Sequence, residues 1–286
     1  MRTANERRLA FALVVFGVIG WPLLRQWWSP RAYGDDSVAP TSDRLRVATY
    51  NVNFGLAGET TTADAVRALE VDVLLLQETN AAWERALAEP LRARFPHQVW
   101  IDAESYPAGG IALLSRHPLT DVARNESAIG WFPALAATVA TPLGDVRVID
   151  VHLKPPVSSR GSVWVGRFST PTERAREMRS HLDALLRPGL PTLVAGDLNE
   201  ERGGSLDVLA NEGFRDAVAM HLGHAPTWRW PVGPLTLRQQ LDHLLFDDRF
   251  VVEAVAIVDA GASDHLPVVA TLRAHDPTAS MPEDVR

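Results

Sequence analysis

Four short segments place polar side chains directly after runs of β-prone apolar residues. They are Tyr-Asn-Val-Asn at 50–53, Leu-Gln-Glu-Thr at 76–79, Gly-Asp-Leu-Asn at 196–199 and Ser-Asp-His at 263–265. The apolar runs before the first three segments predict short buried strands. Side chains at strand ends project into the crevice where sheets bind ligands. The chain is therefore expected to gather these polar groups at one edge of a β-rich fold.

The residue types in these segments indicate a particular chemistry. Carboxylate and amide oxygens are the ligands that a hard divalent cation such as Mg²⁺ prefers. A histidine beside them titrates near neutral pH. The combination predicts a metal-dependent site that hydrolyses phosphoesters.

In this order the segments resemble the endonuclease/exonuclease/phosphatase superfamily, which shares the deoxyribonuclease-I-like fold. The stretches 109–116, 148–153 and 240–245 resemble further elements of that family, and the similarity runs from about 44 to 273. The resemblance implies an α/β (α+β) fold, a two-layer β-sandwich of mixed sheets flanked by helices. A single Gly-Asp-x-Asn segment is weak support, because it also has turn chemistry, but all of these elements in order are specific.

The resemblance implies a divalent metal site for Mg²⁺ or Mn²⁺. Its expected members are Asn51, Glu78 and Asp264. Glu78 is the expected main ligand, and Asp264 is a second carboxylate on the metal side. Asn51 could instead bond to the backbone at the end of its strand, and Asn53 is interpreted as more structural. The number of metal ions, one or two, stays open.

The resemblance also implies five catalytic residues. Asp197 is expected to orient or deprotonate the attacking water, and Asn199 to hold that water or a phosphate oxygen. His265 is expected to contact the phosphoryl group, with Asp242 orienting it. His152 is expected to donate to a phosphate oxygen or to assist the leaving group, and the alternative is a satisfied core histidine.

The substrate class stays open between nucleic acid, phospholipid and small phosphodiesters. A net charge of −7 argues against a protein that mainly grips polyanions. The rivals are a non-catalytic binding module that kept the fold and a cytosolic DNA repair nuclease. The histidine at 152 argues against the latter, because the abasic-site endonucleases of this fold use a tyrosine on another strand end.

Several residues near these segments have two interpretations. Lys154 is the only lysine and could touch a phosphate or simply be solvated in a loop. The loop 155–168 and the aromatic residues at 131–132 and 227–230 could select substrate, by stacking on bases or by entering lipid headgroups. His243 is interpreted as structural, because it alternates with Asp242 along one strand.

The N-terminus contains an uncharged apolar run of 16 residues, 9–24, preceded by arginines at 2, 7 and 8. As a helix this run spans about 24 Å, somewhat short of a bilayer core. The flanking charge predicts a cytoplasmic N-terminus and a single-pass inner-membrane protein with its catalytic domain outside the cytoplasm. A cleaved signal and secretion are the alternative.

The predicted organisation has four parts: an anchor or signal at 1–25, a linker at 26–43, a catalytic domain at 44–274 and a flexible tail at 275–286. A monomer is expected. Within the domain, we predict one helix capped by Thr61 or Thr62 and another over 81–95 that Pro90 breaks. A third helix is predicted over 172–186, capped by Thr170.

Overall fold

Two mixed β-sheets pack against each other at the centre of the protein. The structure is a computed structural model, and it describes residues 33–34, 43–102, 106–156 and 170–275. Apolar side chains from both sheets, such as Leu75, Leu113, Val148 and Leu193, form one buried cluster between them. This arrangement confirms the predicted two-layer sandwich flanked by helices.

The first sheet has seven strands. In spatial order they are β1 (Tyr33–Gly34), β14 (Phe250–Ile257), β15 (Val268–Ala274), β2 (Leu45–Asn51), β3 (Val73–Thr79), β5 (Gly110–Ser115) and β4 (His97–Ile101). β2 and β3 run parallel. The carboxyl ends of these two neighbours therefore lie at the same edge, which places Asn51 beside the Gln-Glu segment.

The second sheet has six strands. In spatial order they are β10 (Arg215–Asp216), β13 (Asp242–Phe246), β9 (Thr192–Asp197), β8 (Gly144–His152), β7 (Ala134–Thr141) and β6 (Leu119–Asn125). β8 runs parallel to β9 and pairs His152 with Asp197. β13 runs antiparallel to β9 and pairs Asp242 with Asp197. Sheet register alone thus sets three predicted catalytic residues side by side.

The described residues form five α-helices, and four of them cover the outer faces of the sheets, while Ala217 and Val218 of the fifth join the central cluster. The five helices are α1 (Thr60–Ala68), α2 (Ala81–Leu91), α3 (Pro171–Leu185), α4 (Gly204–Asn211) and α5 (Ala217–Leu222). α1 and α2 cover the seven-stranded sheet with residues such as Val66 and Trp83, and α3 and α4 cover the six-stranded sheet with residues such as Met178 and Leu209. A strand that is buried on both faces has a continuous apolar sequence, and this explains the apolar run at residues 73–76 in β3.

The helix ends differ from the sequence prediction. α1 is capped by Glu59, whose carboxylate accepts from the backbone N–H groups of Thr61 and Thr62, so the predicted threonine cap is wrong. α2 ends at Leu91 with Pro90 in its last turn, four residues before the predicted end. α3 begins directly after Thr170, but the hydroxyl of Thr170 accepts from Arg174 instead of capping the helix.

A two-stranded hairpin, β11 (Trp228–Val232) and β12 (Leu235–Gln239), stands apart from both sheets. It is joined to the catalytic edge at its base, where Trp228 forms an isolated bridge with His265. The backbone N–H of Arg229 donates to the carbonyl of Asp264.

The predicted anchor, 9–24, lies outside the described residues. Among the residues that the structure describes, no helix is long and apolar enough to cross a membrane. Two residues of the predicted linker belong to the fold, because Tyr33 and Gly34 pair with β14. Gly34 has a φ of 88°, and a Cβ there would lie 2.0 Å from the carbonyl oxygen of Val255, so only glycine fits this approach.

Candidate active site

The ends of strands from both sheets meet at one edge of the sandwich and gather the predicted site residues. Asn51 and Glu78 come from the seven-stranded sheet, and His152, Asp197 and Asp242 from the six-stranded sheet. The turn before β15 adds two more residues, Asp264 and His265.

Asp197 lies at the centre of this arrangement. Its Oδ2 accepts from Asn51 Nδ2 at 3.0 Å, and its Oδ1 accepts from the backbone N–H of Asn199 at 2.9 Å. The Nε2 atoms of His152 and His265 lie 3.5 and 3.6 Å from Oδ2. Burial, followed by the nearby Asp242 carboxylate, raises the pKa of Asp197 to about 7, against the opposing effect of His265. The carboxyl therefore exchanges its proton near neutral pH.

Gly196 allows β8 to approach β9 at this point. Its φ is 145°, and a Cβ would lie 1.9 Å from the carbonyl oxygen of Val151. The glycine of the Gly-Asp-x-Asn segment is therefore required by the close approach of the strand that carries His152.

Glu78 reaches the site through a kink in β3. Its φ is 59°, and the pairing of β3 with β5 shifts register between Gln77 and Thr79. Asn51 Nδ2 donates to Glu78 Oε1 at 3.1 Å, and the backbone N–H of Phe54 donates to Oε2 at 3.2 Å. Positive φ is uncommon for glutamate and costs about 1–3 kcal/mol, so the fold holds this side chain in place against backbone strain.

Asp264 faces Glu78 across the site. Asn53 Nδ2 donates to its Oδ1 at 3.0 Å, and Trp228 Nε1 donates to its Oδ2 at 2.9 Å. Burial and then the charge of Asp264 raise the pKa of Glu78 to about 7. Two carboxylates that repel each other in a buried site are stabilised by a cation, so Glu78 and Asp264 fit the predicted metal site.

His265 and Asp242 form the predicted pair. The Nδ1 of His265 lies 2.8 and 3.0 Å from the two carboxylate oxygens of Asp242, and both side chains are buried. Burial opposes protonation, but the charges of Asp242 and then Asp197 hold the pKa of His265 well above its usual value. These carboxylates therefore favour the imidazolium form of the ring, whose Nε2 lies toward Asp197 at the centre of the site.

His152 differs from His265 in its charge. Its ring stacks on Phe132 with a centroid distance of 4.2 Å and is nearly fully buried. Burial and then the charge of His265 lower the pKa of His152 to about 3, although a bond to the backbone of Ala108 partly offsets this. A neutral ring suits hydrogen bonding to a phosphate oxygen better than transfer of a proton.

Two asparagines make contacts that the sequence did not indicate. Asn51 turns its nitrogen toward Glu78 and Asp197, while its Oδ1 accepts from the backbone N–H of Asn53 at 3.0 Å. Asn199 Nδ2 donates to the carbonyl of Leu153 at 3.0 Å. Asn51 therefore ties the two carboxylates together, and Asn199 fixes the turn that presents Asp197; their predicted metal and phosphate roles stay predictions.

A second group of potential ligand atoms lies among the catalytic residues. Side-chain ligand atoms of Asp197, Asp242 and His265 lie within 4.8 Å of one another, a spacing that could hold a metal ion. His265 uses its Nδ1 for Asp242, however, and a hard cation prefers oxygen ligands. Glu78 and Asp264 are therefore the better candidates for Mg²⁺.

Lys154 is not solvated in a loop, so that expectation is wrong. Its side chain is buried, pairs with Glu173, and lies 5.6 Å from the ring centroid of Trp131. His243, in contrast, is structural as predicted: its Nδ1 lies 2.7 Å from Asp216 Oδ2, and its Nε2 lies 3.0 Å from the carbonyl oxygen of Glu200.

Three residues were underestimated by reasoning from the sequence. Asn53 and Trp228 orient Asp264, and Phe132 supports His152. Asn53 had a usable signal, because an asparagine two residues after a strand end tolerates its φ of 61°. The two aromatic contacts had none, since they join residues far apart in the chain.

Comparison with known proteins bears directly on this geometry. The family model described as Endonuclease/Exonuclease/phosphatase family matches residues 48–265. The chain belongs to this family. Endonuclease/exonuclease/phosphatase proteins are typically metal-dependent phosphoester hydrolases, and a buried cluster of acids and histidine is present here. The search of curated proteins gave no match.

Solved structures show the same fold. An endonuclease/exonuclease/phosphatase from Beutenbergia cavernae is 26% identical, with a TM-score of 0.63 over 81% of this chain and 72% of that one. The human Nocturnin catalytic domain with a bound sulfate anion is 16% identical, with a TM-score of 0.62 over 86% and 97%. A beta toxin 275-280 structure from Staphylococcus aureus is 18% identical, with a TM-score of 0.59 over 79% and 99%.

Proposed function

We propose that the protein hydrolyses phosphodiesters with the help of Mg²⁺ or Mn²⁺. The observation that carries this proposal is the position of Asp197, which contacts Asn51 and lies within 3.6 Å of the Nε2 atoms of His152 and His265. One carboxylate thus connects the candidate metal side of the site with both imidazoles.

The roles of the residues follow from their charges. With its pKa near 7, Asp197 can orient a water molecule and accept its proton. The imidazolium of His265 can donate from Nε2 to the phosphoryl group, because Asp242 holds Nδ1. The neutral ring of His152 can donate one hydrogen bond to a phosphate oxygen. A divalent cation held by Glu78 and Asp264 supplies charge stabilisation for the phosphoryl oxygen.

A chromogenic diester tests the proposed chemistry. The full-length protein should hydrolyse bis(p-nitrophenyl) phosphate, lose that activity in excess EDTA, and regain it with Mg²⁺ or Mn²⁺ in excess of the chelator. The Asp197→Asn variant is the negative control for contaminating activity. Hydrolysis that persists undiminished in EDTA would refute the metal assignment, and binding of diesters without turnover would favour the rival binding module.

We also propose that residues 9–24 anchor the protein, with the catalytic domain outside the cytoplasm. The support is the apolar run with arginines on its N-terminal side. The test fuses a reporter enzyme after Arg286. A reporter that works only outside the cytoplasm should be active in this fusion, and a reporter that works only in the cytoplasm should be inactive. Full-length protein recovered free in the cytoplasm would contradict the anchor.

A further inference from the structure

The β11–β12 hairpin presents an apolar strip beside the active site. Cross-strand pairs put Trp230 opposite Leu237 and Val232 opposite Leu235, and paired residues share one face of a hairpin. The strip consists of Trp228, Trp230, Val232, Leu235 and Leu237. Five large apolar side chains are exposed in the part of the chain that the structure describes, and Val232, Leu235 and Leu237 are three of them, with Leu235 at 69% exposure.

The strip begins at the catalytic centre. Trp228 donates from Nε1 to Asp264 Oδ2 at 2.9 Å, and its ring stacks on Trp230 with a centroid distance of 6.0 Å. The strip then runs outward through Leu237 to the exposed tip. The inner end of the strip therefore lies next to the proposed metal side of the site.

The N-terminal segment enters the fold at the same edge. β1 pairs Tyr33 with Ile257, the last residue of β14, so β1 begins at the catalytic edge. Just beyond that end, Asp259 accepts from the Arg229 side chain in the hairpin at 3.2 Å. Only residues 25–32 separate the proposed anchor from β1, and eight residues span at most about 29 Å.

We propose that the apolar strip lies on a lipid surface, and that the substrate class is the phosphodiester headgroup of a membrane lipid. This inference rests on the hydrolase proposed above. Leucine and valine side chains bury favourably among acyl chains but form no hydrogen bonds with bases or phosphates. The short connection to the anchor keeps the catalytic edge close to the bilayer, so the strip and the site face the same surface.

The chain contains no cysteine, which allows a fluorophore to be attached at one chosen position. Leu235→Cys and Leu237→Cys place a polarity-sensitive label on the strip. Val122→Cys and Met220→Cys are matched controls, because these apolar side chains are 47% and 57% exposed elsewhere on the domain. Each full-length variant is reconstituted into phosphatidylcholine vesicles with and without lipids that carry a nitroxide quencher on the acyl chain.

We expect nitroxide lipids to quench the labels at 235 and 237 at least about twofold more than those at 122 and 220, since an interfacial apolar face enters a bilayer by about 5–10 Å. Equal quenching at all four positions would overturn the proposal. Two other results would also overturn it. If a single-stranded oligonucleotide protected the strip labels from quenching by iodide, the occupant would be nucleic acid. If a higher protein concentration without lipid protected them, the occupant would be a second copy of the chain. The readout does not need hydrolysis, so its failure is distinct from failure of the hydrolase proposal.

Discussion

The two sides of the active site achieve their geometry in different ways. The catalytic side uses regular strand ends, because sheet register sets His152, Asp197 and Asp242 side by side. The metal side uses an irregular backbone, with Glu78 at a φ of 59° in a β-bulge and Asn53 at 61°. Regular pairing is determined by the whole sheet, whereas a kinked position depends on a few local contacts.

The two sides also differ in their electrostatics. On the catalytic side the imidazolium of His265 compensates the charge of Asp242. On the metal side Glu78 and Asp264 repel each other, which helps to raise the pKa of Glu78 to about 7. The comparison predicts that changes on the catalytic side reduce turnover, and that changes on the metal side reduce affinity for the cation.

The largest effect is expected from His265→Ala. Loss of one positioned electrostatic donor typically reduces turnover by ~10² to 10³, and we expect a loss in kcat of at least this size with little change in the Mg²⁺ requirement. Asp242→Asn should also reduce kcat, and the double variant should lose far less than the product of the two, because the pair acts as a unit. Steady-state kinetics at saturating Mg²⁺ measures kcat for the two single variants and the double variant.

His224→Ala is the control for the His265 series, since its side chain is 57% exposed and lies outside the site. This variant should keep normal turnover. Independent, multiplicative losses in the His265 and Asp242 variants would show that the 2.8 Å contact between them does not make a catalytic unit.

A different kind of defect is expected from Glu78→Gln. Removal of one charge from the metal side should raise the Mg²⁺ concentration for half-maximal activity by roughly 10- to 100-fold, the range seen when groups that support a metal are changed. Turnover at saturating Mg²⁺ should fall less than in His265→Ala. The exposed Glu70→Gln is the control. An unchanged Mg²⁺ requirement would exclude Glu78 from the metal site.

The affinity for the cation should depend on pH in a defined direction. Burial and the charge of Asp264 raise the pKa of Glu78 to about 7, so the cation-free protein holds a proton there below this pH. A cation must displace that proton, and the apparent affinity should fall about tenfold per pH unit per proton below about pH 7 and level off above it. Calorimetric titration with Mg²⁺ in two buffers of different ionisation enthalpy counts the released protons.

In the same titration Glu78→Gln should release fewer protons than the unmodified protein. Equal heats in both buffers near pH 6 would mean that no proton leaves when the cation binds. That outcome would contradict the electrostatic difference between the two sides of the site.

Much of the site could be predicted because strand ends mark it in the sequence. Apolar runs followed by Asn51, Glu78 or Asp197 indicate side chains at one sheet edge, and the structure brings them together. The fold was predicted from the resemblance of these segments, in their order, to a known family. The strand-end signal itself is local in the chain and depends only on where a strand stops.

Other features could not be predicted, because they depend on contacts between distant residues. The side chain of Lys154 is buried because it pairs with Glu173 of a helix and lies near the ring of Trp131 in a loop. The helix cap at Glu59 is unusual, since serine, threonine, aspartate and asparagine dominate that position. The contact of Trp228 with Asp264 joins a hairpin to a turn. No pattern of local spacing encodes these pairings.

The smallest effect is expected where the two sheets touch beneath the site. Gln77 Nε2 donates to Asp150 Oδ1 at 2.6 Å and also bonds to Thr49 Oγ1, and all three residues are fully buried. Burial raises the pKa of Asp150 well above its usual value, although the bond from Gln77 opposes this. Burial therefore favours the protonated carboxyl of Asp150 more in the folded protein than in the unfolded chain.

The sign of the pH effect follows from this difference. A raised carboxyl pKa favours the folded state at low pH, and that contribution is lost as pH rises from the unfolded value toward the folded one. Asp150→Asn should remove this slope, so at higher pH it should stabilise the fold. Below the ordinary carboxyl pKa it should change the free energy of unfolding by less than about 1 kcal/mol, whereas Gln77→Leu leaves buried acceptors unpaired and should cost about 1–3 kcal/mol. Urea unfolding at several pH values measures both. If Asp150→Asn were the more destabilising change, Asp150 would be ionised in the folded protein, and the contact between the sheets would depend on charge.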